Sequence, residues 1–206
     1  MLKKGLFITF EGGEGAGKTT LMKKLAEKLK KHEILQTREP GGTQLGESVR
    51  SILLNPQKKI SARSELTLFL ACRSQHIEEV ILPALEEGKI VLCDRFNDSS
   101  VAYQGAARSL GMEKVQKFCN FICNNLQPDR TFYLDIDPAI GLKRASGSDR
   151  IESEKLSFHE TIRSAFLILA KQHPERIHVI DARKTADQVF AEVLNEFSRF
   201  LVKNAF

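Results

Sequence analysis

The stretch "EGGEGAGKTT", Glu11 to Thr20, follows the apolar run "LFITF" and carries the spacing G-x-x-x-x-G-K-[ST] at Gly12, Gly17, Lys18 and Thr19. That pattern has a specific chemistry. Glycines let the backbone turn its N–H groups inward, lysine reaches terminal phosphates, and the hydroxyl after it ligates magnesium. Gly12, Gly13, Glu14, Gly15, Ala16, Gly17, Lys18, Thr19 and Thr20 are therefore the expected cradle for a nucleoside triphosphate with Mg2+. The two acids are out of place on this reading, because carboxylates repel phosphate. The loop alone does not choose between kinase, GTPase and motor.

A second signal narrows the class. "VLCDR" sets Asp94 and Arg95 at the end of an apolar strand. Asp94 is placed to hold magnesium with Thr19, and Arg95 to clamp a phosphate with its fork of donors. No N-K-x-D sequence for reading guanine is present, and the chain is short for a motor.

The remaining chemistry-bearing residues could form an acceptor side. Phe69 and Arg73 are four apart and share a helix face, so one can stack on a base while the other donates to its edge. Phe69 equally fits the apolar stripe of a core helix. Ser100, Tyr103 and Gln104 form one face of the helix after the D-R strand, and Arg38, Arg50 and Arg95 could surround a monophosphate. Together with the phosphate loop, "TREPGGT" (37–43), "FLACRSQ" (69–75) and "DRFNDSSVAYQG" (94–105) resemble the thymidylate kinase family in its bacterial form, from Leu6 to about Ala182.

The resemblance implies transfer of the γ-phosphoryl group of ATP to dTMP, with no general base. It implies that Phe69 stacks on thymine, Arg73 donates to its O4, Ser100 and Gln104 read the polar edge, and Tyr103 underlies the sugar where a 2′-hydroxyl would clash. Arg50 and Arg95 would hold the acceptor phosphate, with Glu39 nearby on the magnesium network and a cis peptide before Pro40. Glu14 would face the deoxyribose rather than the triphosphate, and Glu11 would brace the loop. Some family members carry an arginine in the phosphate loop where this chain has Gly15; others carry arginines in a lid. Here the lid candidate is "LKRASGSDRIE" (142–152), with Arg150 the first choice for the transferring phosphoryl and Arg144 the second. A plain solvated loop is the competing reading of that stretch. Phe166 stands where relatives often have tyrosine. Ala182 and Arg183, in "DARK" (181–184), would lie against adenine. The catalytic set is thus Lys18, Arg95, Arg150 and Arg144. A homodimer paired through long helices, with Glu65–Glu87 the candidate, is also implied.

These residues need a scaffold. Strands are expected at Leu6–Phe10, Ile34–Thr37, Ile90–Cys93, Thr131–Asp135 and His178–Ile180, and helices at Gly17–Lys30, Glu65–Glu87, Met112–Leu126, Leu156–Lys171 and Ala186–Val202, with Pro83 kinking or ending the second. Alternation of the two predicts an α/β fold of the P-loop NTPase type, a five-stranded parallel sheet covered on both faces, with ligands at the carboxyl ends of the strands. The 206 residues suit one nucleoside-monophosphate kinase domain with a short mobile lid. Net charge is +5, but the densest basic run, "KKLAEKLKKH", has leucines at helical spacing and no interleaved aromatics, which argues against nucleic acid. No run approaches a membrane span. The four cysteines form no C-x-x-C pair and are expected as reduced core thiols of a cytoplasmic protein. Another small-acceptor kinase and a non-catalytic nucleotide switch are the alternatives; ADP release across monophosphates separates them.

Overall fold

The computed structural model describes residues 5–145 and 149–203. Five strands, β1 (Leu6–Gly12), β2 (Ile34–Arg38), β3 (Ile90–Asp94), β4 (Arg130–Asp135) and β5 (Ile177–Asp181), form one all-parallel sheet in the order β2-β3-β1-β4-β5. Each expected strand is present and one or two residues longer than its apolar run. The added residues at the carboxyl ends, Glu11, Gly12, Arg38, Asp94 and Asp181, are the polar or glycine positions that belong to the site rather than to the core.

Period-2 alternation along β1 sorts the two layers. Leu6, Ile8 and Phe10 face one core with α1 (Lys18–Lys28) and α9 (Ala186–Lys203). Phe7 and its neighbours on β3 face the other. Around that second layer pack α3 (Ala62–His76), α4 (Leu82–Glu86), α6 (Met112–Ile122) and α8 (Leu156–Gln172). Helices thus cover both faces, as a parallel sheet requires. None of the described helices is long and apolar enough to cross a membrane.

Four departures from the expected elements have physical causes. The second expected helix starts earlier, at Ala62, because the Ser61 hydroxyl caps it by accepting from Ser64 N–H. Pro83 does not end it. A π-helical turn (Ile77–Ile81) precedes α4, placing the proline in the first turn of a new segment, where its missing N–H is tolerated. The expected helix from Met112 stops at Ile122, because Asn124 and Asn125 adopt φ of 47° and 58°. Three further helices lie outside the expected set: α2 (Gln44–Leu54), capped by Thr43, and the short α5 (Asn97–Ser100) and α7 (Pro138–Arg144). A π-helical turn (Val101–Ala107) continues α5. All four cysteines are free and buried.

Candidate active site

The loop after β1 turns into α1 through Gly17, whose φ of 90° needs glycine, and delivers Lys18 at the helix start. Lys18 Nζ donates to the carbonyls of Gly12 (3.2 Å) and Gly13 (3.1 Å). Burial, together with Arg95, lowers its pKa. The register pairs Phe10 with Asp94, so the loop and the end of β3 lie side by side. Thr19 Oγ1 donates to Asp94 Oδ2 at 3.1 Å, while Asp94 Oδ1 is buried with no hydrogen-bond partner. An orphaned carboxylate oxygen beside a helix-start hydroxyl fits a divalent cation carrying waters. Among the described residues no three acids, histidines or cysteines cluster into a metal site, so phosphate and water would complete the ligands.

From Gly15 to Thr20 the loop lines an open channel with Asp94, Arg95 and Arg144. A side cavity next to it is lined by Gly15, Thr20, Ala182, Lys184 and Arg144. All the residues expected on the acceptor side except Arg38 line a second, adjoining pocket: Glu14, Glu39, Pro40, Arg50, Phe69, Arg73, Arg95, Ser100, Tyr103 and Gln104. Leu54, Ser99, Asp149 and Ile151 complete it. Glu14, Glu39, Arg50 and Arg95 belong to both cavities and mark where they meet.

Arg95 has φ of 72°, a strained value for a non-glycine residue and one that recurs at functional sites. Its guanidinium donates to Gly12 O (2.9 Å) and Glu14 Oε1 (2.8 Å), and lies 5.0 Å over the Tyr103 ring. Tyr103 O–H donates to the same Glu14 oxygen at 2.9 Å, and its ring packs edgewise on Phe158 and Phe166. Burial would raise the Glu14 pKa, but Arg95, Lys18 and the Tyr103 hydroxyl bring it down to about 2. The acid in the loop is therefore neutralised by Arg95 and turned to the pocket. Phe166 stacks on Tyr133 at 4.8 Å, deep in the core.

Arg73 is 1% exposed. Nε donates to Glu39 (2.6 Å), Nη1 to Ser100 Oγ (3.0 Å) and Cys119 Sγ (3.6 Å), and Nη2 to the Phe96 carbonyl (3.0 Å). Four of its five N–H groups are thus engaged, and one remains for a ligand. Glu39, after which the peptide to Pro40 is cis, also pairs with His76 Nδ1 at 3.0 Å. It is a brace for Arg73 rather than a group aimed at the Thr19–Asp94 corner. Phe69 is half-buried and presents its side chain to the pocket. Arg50 donates to Pro40 O at 2.9 Å. Glu11 accepts from Phe96 N–H (2.7 Å) and Ser99 O–H (2.5 Å), so it braces the loop after β3 rather than its own. Burial, with Asp98 adding, pushes its pKa up to about 8.

Three residues do not reach the places expected of them: Arg150 the transferring phosphoryl, Arg38 the acceptor pocket and Arg183 the adenine wall. Arg150 donates through Nε to Leu53 O (2.8 Å) and pairs through Nη1 with Glu65 Oε2 (2.7 Å), under the inner pocket. Arg144, the second choice, lines the channel and donates to Ala182 O. Of the two lid arginines, Arg144 faces the channel in this structure and Arg150 does not; Ser146–Ser148, the middle of the lid, lie outside the described residues. Arg183 folds back on Asp181 in a two-point ion pair, and Lys184 takes the wall expected of it. Arg38 is bound by Glu47 at the channel rim. A Cβ on Gly15 would run into the carbonyl of Gly141 in α7, so no P-loop side chain could be accommodated there. Glu65 is not among the expected site residues, although its spacing of four before Phe69 and eight before Arg73 puts it on the pocket face of α3.

Comparison with known proteins follows the same lines. The family profile described as thymidylate kinase matches residues 10–193. A thymidylate kinase of Protochlamydia amoebophila is 53% identical over 205 residues, covering 93% of this chain and 91% of the relative. One from Ligilactobacillus salivarius is 45% identical, covering 96% of this chain and all of the relative. The crystal structure of thymidylate kinase from Ehrlichia chaffeensis superposes with a TM-score of 0.79 at 35% identity, over 94% of this chain and 98% of that one.

Proposed function

The chain belongs to the thymidylate kinase family, and from that premise we propose how its own residues carry out the family's reaction, transfer of the γ-phosphoryl group of ATP to dTMP to give dTDP. The observation that carries the assignment of roles is the meeting of two cavities at Glu14, Glu39, Arg50 and Arg95. One is walled by backbone N–H groups and Lys18, the other by base- and sugar-sized side chains. ATP occupies the loop channel, with Ala182 and Lys184 on the adenine side. dTMP occupies the inner pocket, its base over Phe69 and against Arg73, Ser100 and Gln104.

A phosphate monoester has a second pKa of about 6, so the attacking oxygen is already ionised at neutral pH. The protein therefore need only align the two phosphates and stabilise charge. Arg95 and Arg50 hold the acceptor phosphate at the junction. Lys18 and Arg144 stabilise the transferring group from the channel side. Thr19 and Asp94 would hold Mg2+, which when bound neutralises charge on the ATP phosphates. Tyr103, fixed by Glu14, Arg95, Phe158 and Phe166, is rigid enough to select deoxyribose by exclusion.

We further propose one kinase domain with its lid at about 142–152, a cytoplasmic location consistent with four free thiols, and a homodimer. Phe118 and Phe121 on α6, 53% and 81% exposed, support a pairing surface beside α3, away from nucleic-acid chemistry. Sedimentation of Phe121→Asp as a monomer supports that surface. The function itself is tested by ADP release with ATP across dTMP, dUMP, dCMP, AMP and GMP. Turnover with dTMP well above the rest is expected; tight ATP binding without transfer to any of them would overturn it.

A further inference from the structure

Glu65 lies in the first turn of α3, 0% exposed, in contact with three donors from distant segments. Its Oε1 accepts from Gln104 Nε2 at 2.8 Å and from Arg108 Nε at 3.2 Å. Its Oε2 lies 2.7 Å from Arg150 Nη1 and 3.2 Å from Arg108 Nη2. Arg108 is itself held by Glu154. An ion-paired carboxylate can only accept, so the amide group it binds must be turned NH2-first toward it. Gln104 is buried and lines the inner pocket, and its Oε1 has no partner among the described residues.

We infer that Glu65 is a positioning residue for base choice: it holds the Gln104 amide with Oε1 toward the acceptor base, so that only a base presenting a donor at that edge is accommodated. Thymine carries N–H at N3. Cytosine carries a lone pair there, which would face the amide oxygen with neither group satisfied. The remaining N–H of Arg73 acts in the same sense, since it matches the carbonyl at position 4 of thymine and opposes the amino group of cytosine. A free glutamine could rotate by half a turn and serve either base. Glu65 removes that freedom, and Arg150 ties the setting to the lid segment.

This inference rests on the dTMP-kinase reading, and its test separates the two. The ratio of kcat/KM for dTMP to that for dCMP is measured in wild type and in Glu65→Gln, with thermal midpoints recorded alongside. A wild type inactive on dTMP would sink the function, not merely the role of Glu65. A glutamine at 65 can accept or donate, so Gln104 is no longer committed. The ratio should fall on the order of tenfold, the size of one unmet hydrogen bond. Equal loss on both substrates with an unchanged ratio overturns the inference, because a purely structural role would lower both together. If the variant does not fold, a neutron structure of the wild type with dTMP decides: Gln104 deuterons on Glu65 support it, and deuterons on the base overturn it.

Discussion

The channel around Lys18 and the pocket around Arg73 adjoin, yet they are built from different materials. In the channel the ligand-facing groups are largely backbone, and the site residues are loosely held: Thr19 has one side-chain bond, to Asp94, and Asp94 keeps one oxygen unpaired. In the pocket most of the long polar side chains are pinned by a carboxylate, Arg73 by Glu39, Gln104 by Glu65, Tyr103 and Arg95 by Glu14. A polyphosphate offers many equivalent oxygens, and a flexible cradle can meet them. A base edge offers three groups in fixed order, which only a preset array can read.

That contrast predicts different failures. Glu39→Ala should unfold the pocket side first, because it strands the buried Arg73 guanidinium and His76. Breaking such a pair costs about 3–5 kcal/mol, a drop on the order of 10 °C in the thermal midpoint. Differential scanning calorimetry reads it; a midpoint within a degree of wild type would mean the pocket is not preset. Lys18→Ala should do the opposite. Its burial disfavours the charge, so stability should hold while kcat falls about 10²–10³-fold. Near-normal turnover in ADP release would remove Lys18 from the mechanism.

How well each half could be read from the chain follows from the same difference. The phosphate loop is local: nine adjacent residues carry the chemistry, and the apolar run before them announces β1. The five strands and their parallel sense were legible from similar local runs; their order in the sheet was not. The pocket residues were legible only as a set, through spacing on α3 and on the segment after β3. Their braces were not, because each pairing spans the fold. Glu65 meets Gln104 across 39 positions and Arg150 across most of the sheet's connections. Glu11 braces a different loop from the expected one for a related reason. Strand alternation points it away from its own loop, toward Phe96 and Ser99. Arg144 closes α7 and Arg150 lies six residues on in the same charged stretch, and nothing local says which way each guanidinium turns.

Those two arginines give the next test. Arg144→Ala should lower kcat about tenfold with little change in KM for dTMP, since it faces the channel and matters as charge develops. Arg150→Ala should instead raise KM for dTMP several-fold and leave kcat nearly intact, since it supports Glu65 beneath the base. Steady-state kinetics on both variants decides. If Arg150→Ala proves to be the kcat variant, the lid closes into a different arrangement in turnover, and the division between halves does not hold for that segment.

The smallest expected effect concerns the seam, where Glu11 at the end of β1 holds the loop that carries Arg95. Its folded pKa, about 8, lies above the ordinary 4.5, because burial and Asp98 outweigh the Ser99, Phe96 and Arg95 contributions. A carboxyl of that kind binds its proton more tightly folded than unfolded. Its stabilising contribution is therefore full below about pH 4.5 and is lost progressively as pH rises through about 8. Within that window the loss is about 1 kcal/mol per pH unit, or a few degrees in the midpoint for a chain of this size. Glu11→Gln keeps the shape and cannot ionise, so its midpoint should decline less steeply between pH 6 and pH 8 than that of the wild type. Subtracting the two slopes removes the histidines and other shared titrations. Parallel slopes would mean that Glu11 is ionised throughout, with Phe96 N–H and Ser99 O–H solvating it well enough to offset burial. In that case the seam would be set as firmly by charge as the Arg73 pocket is.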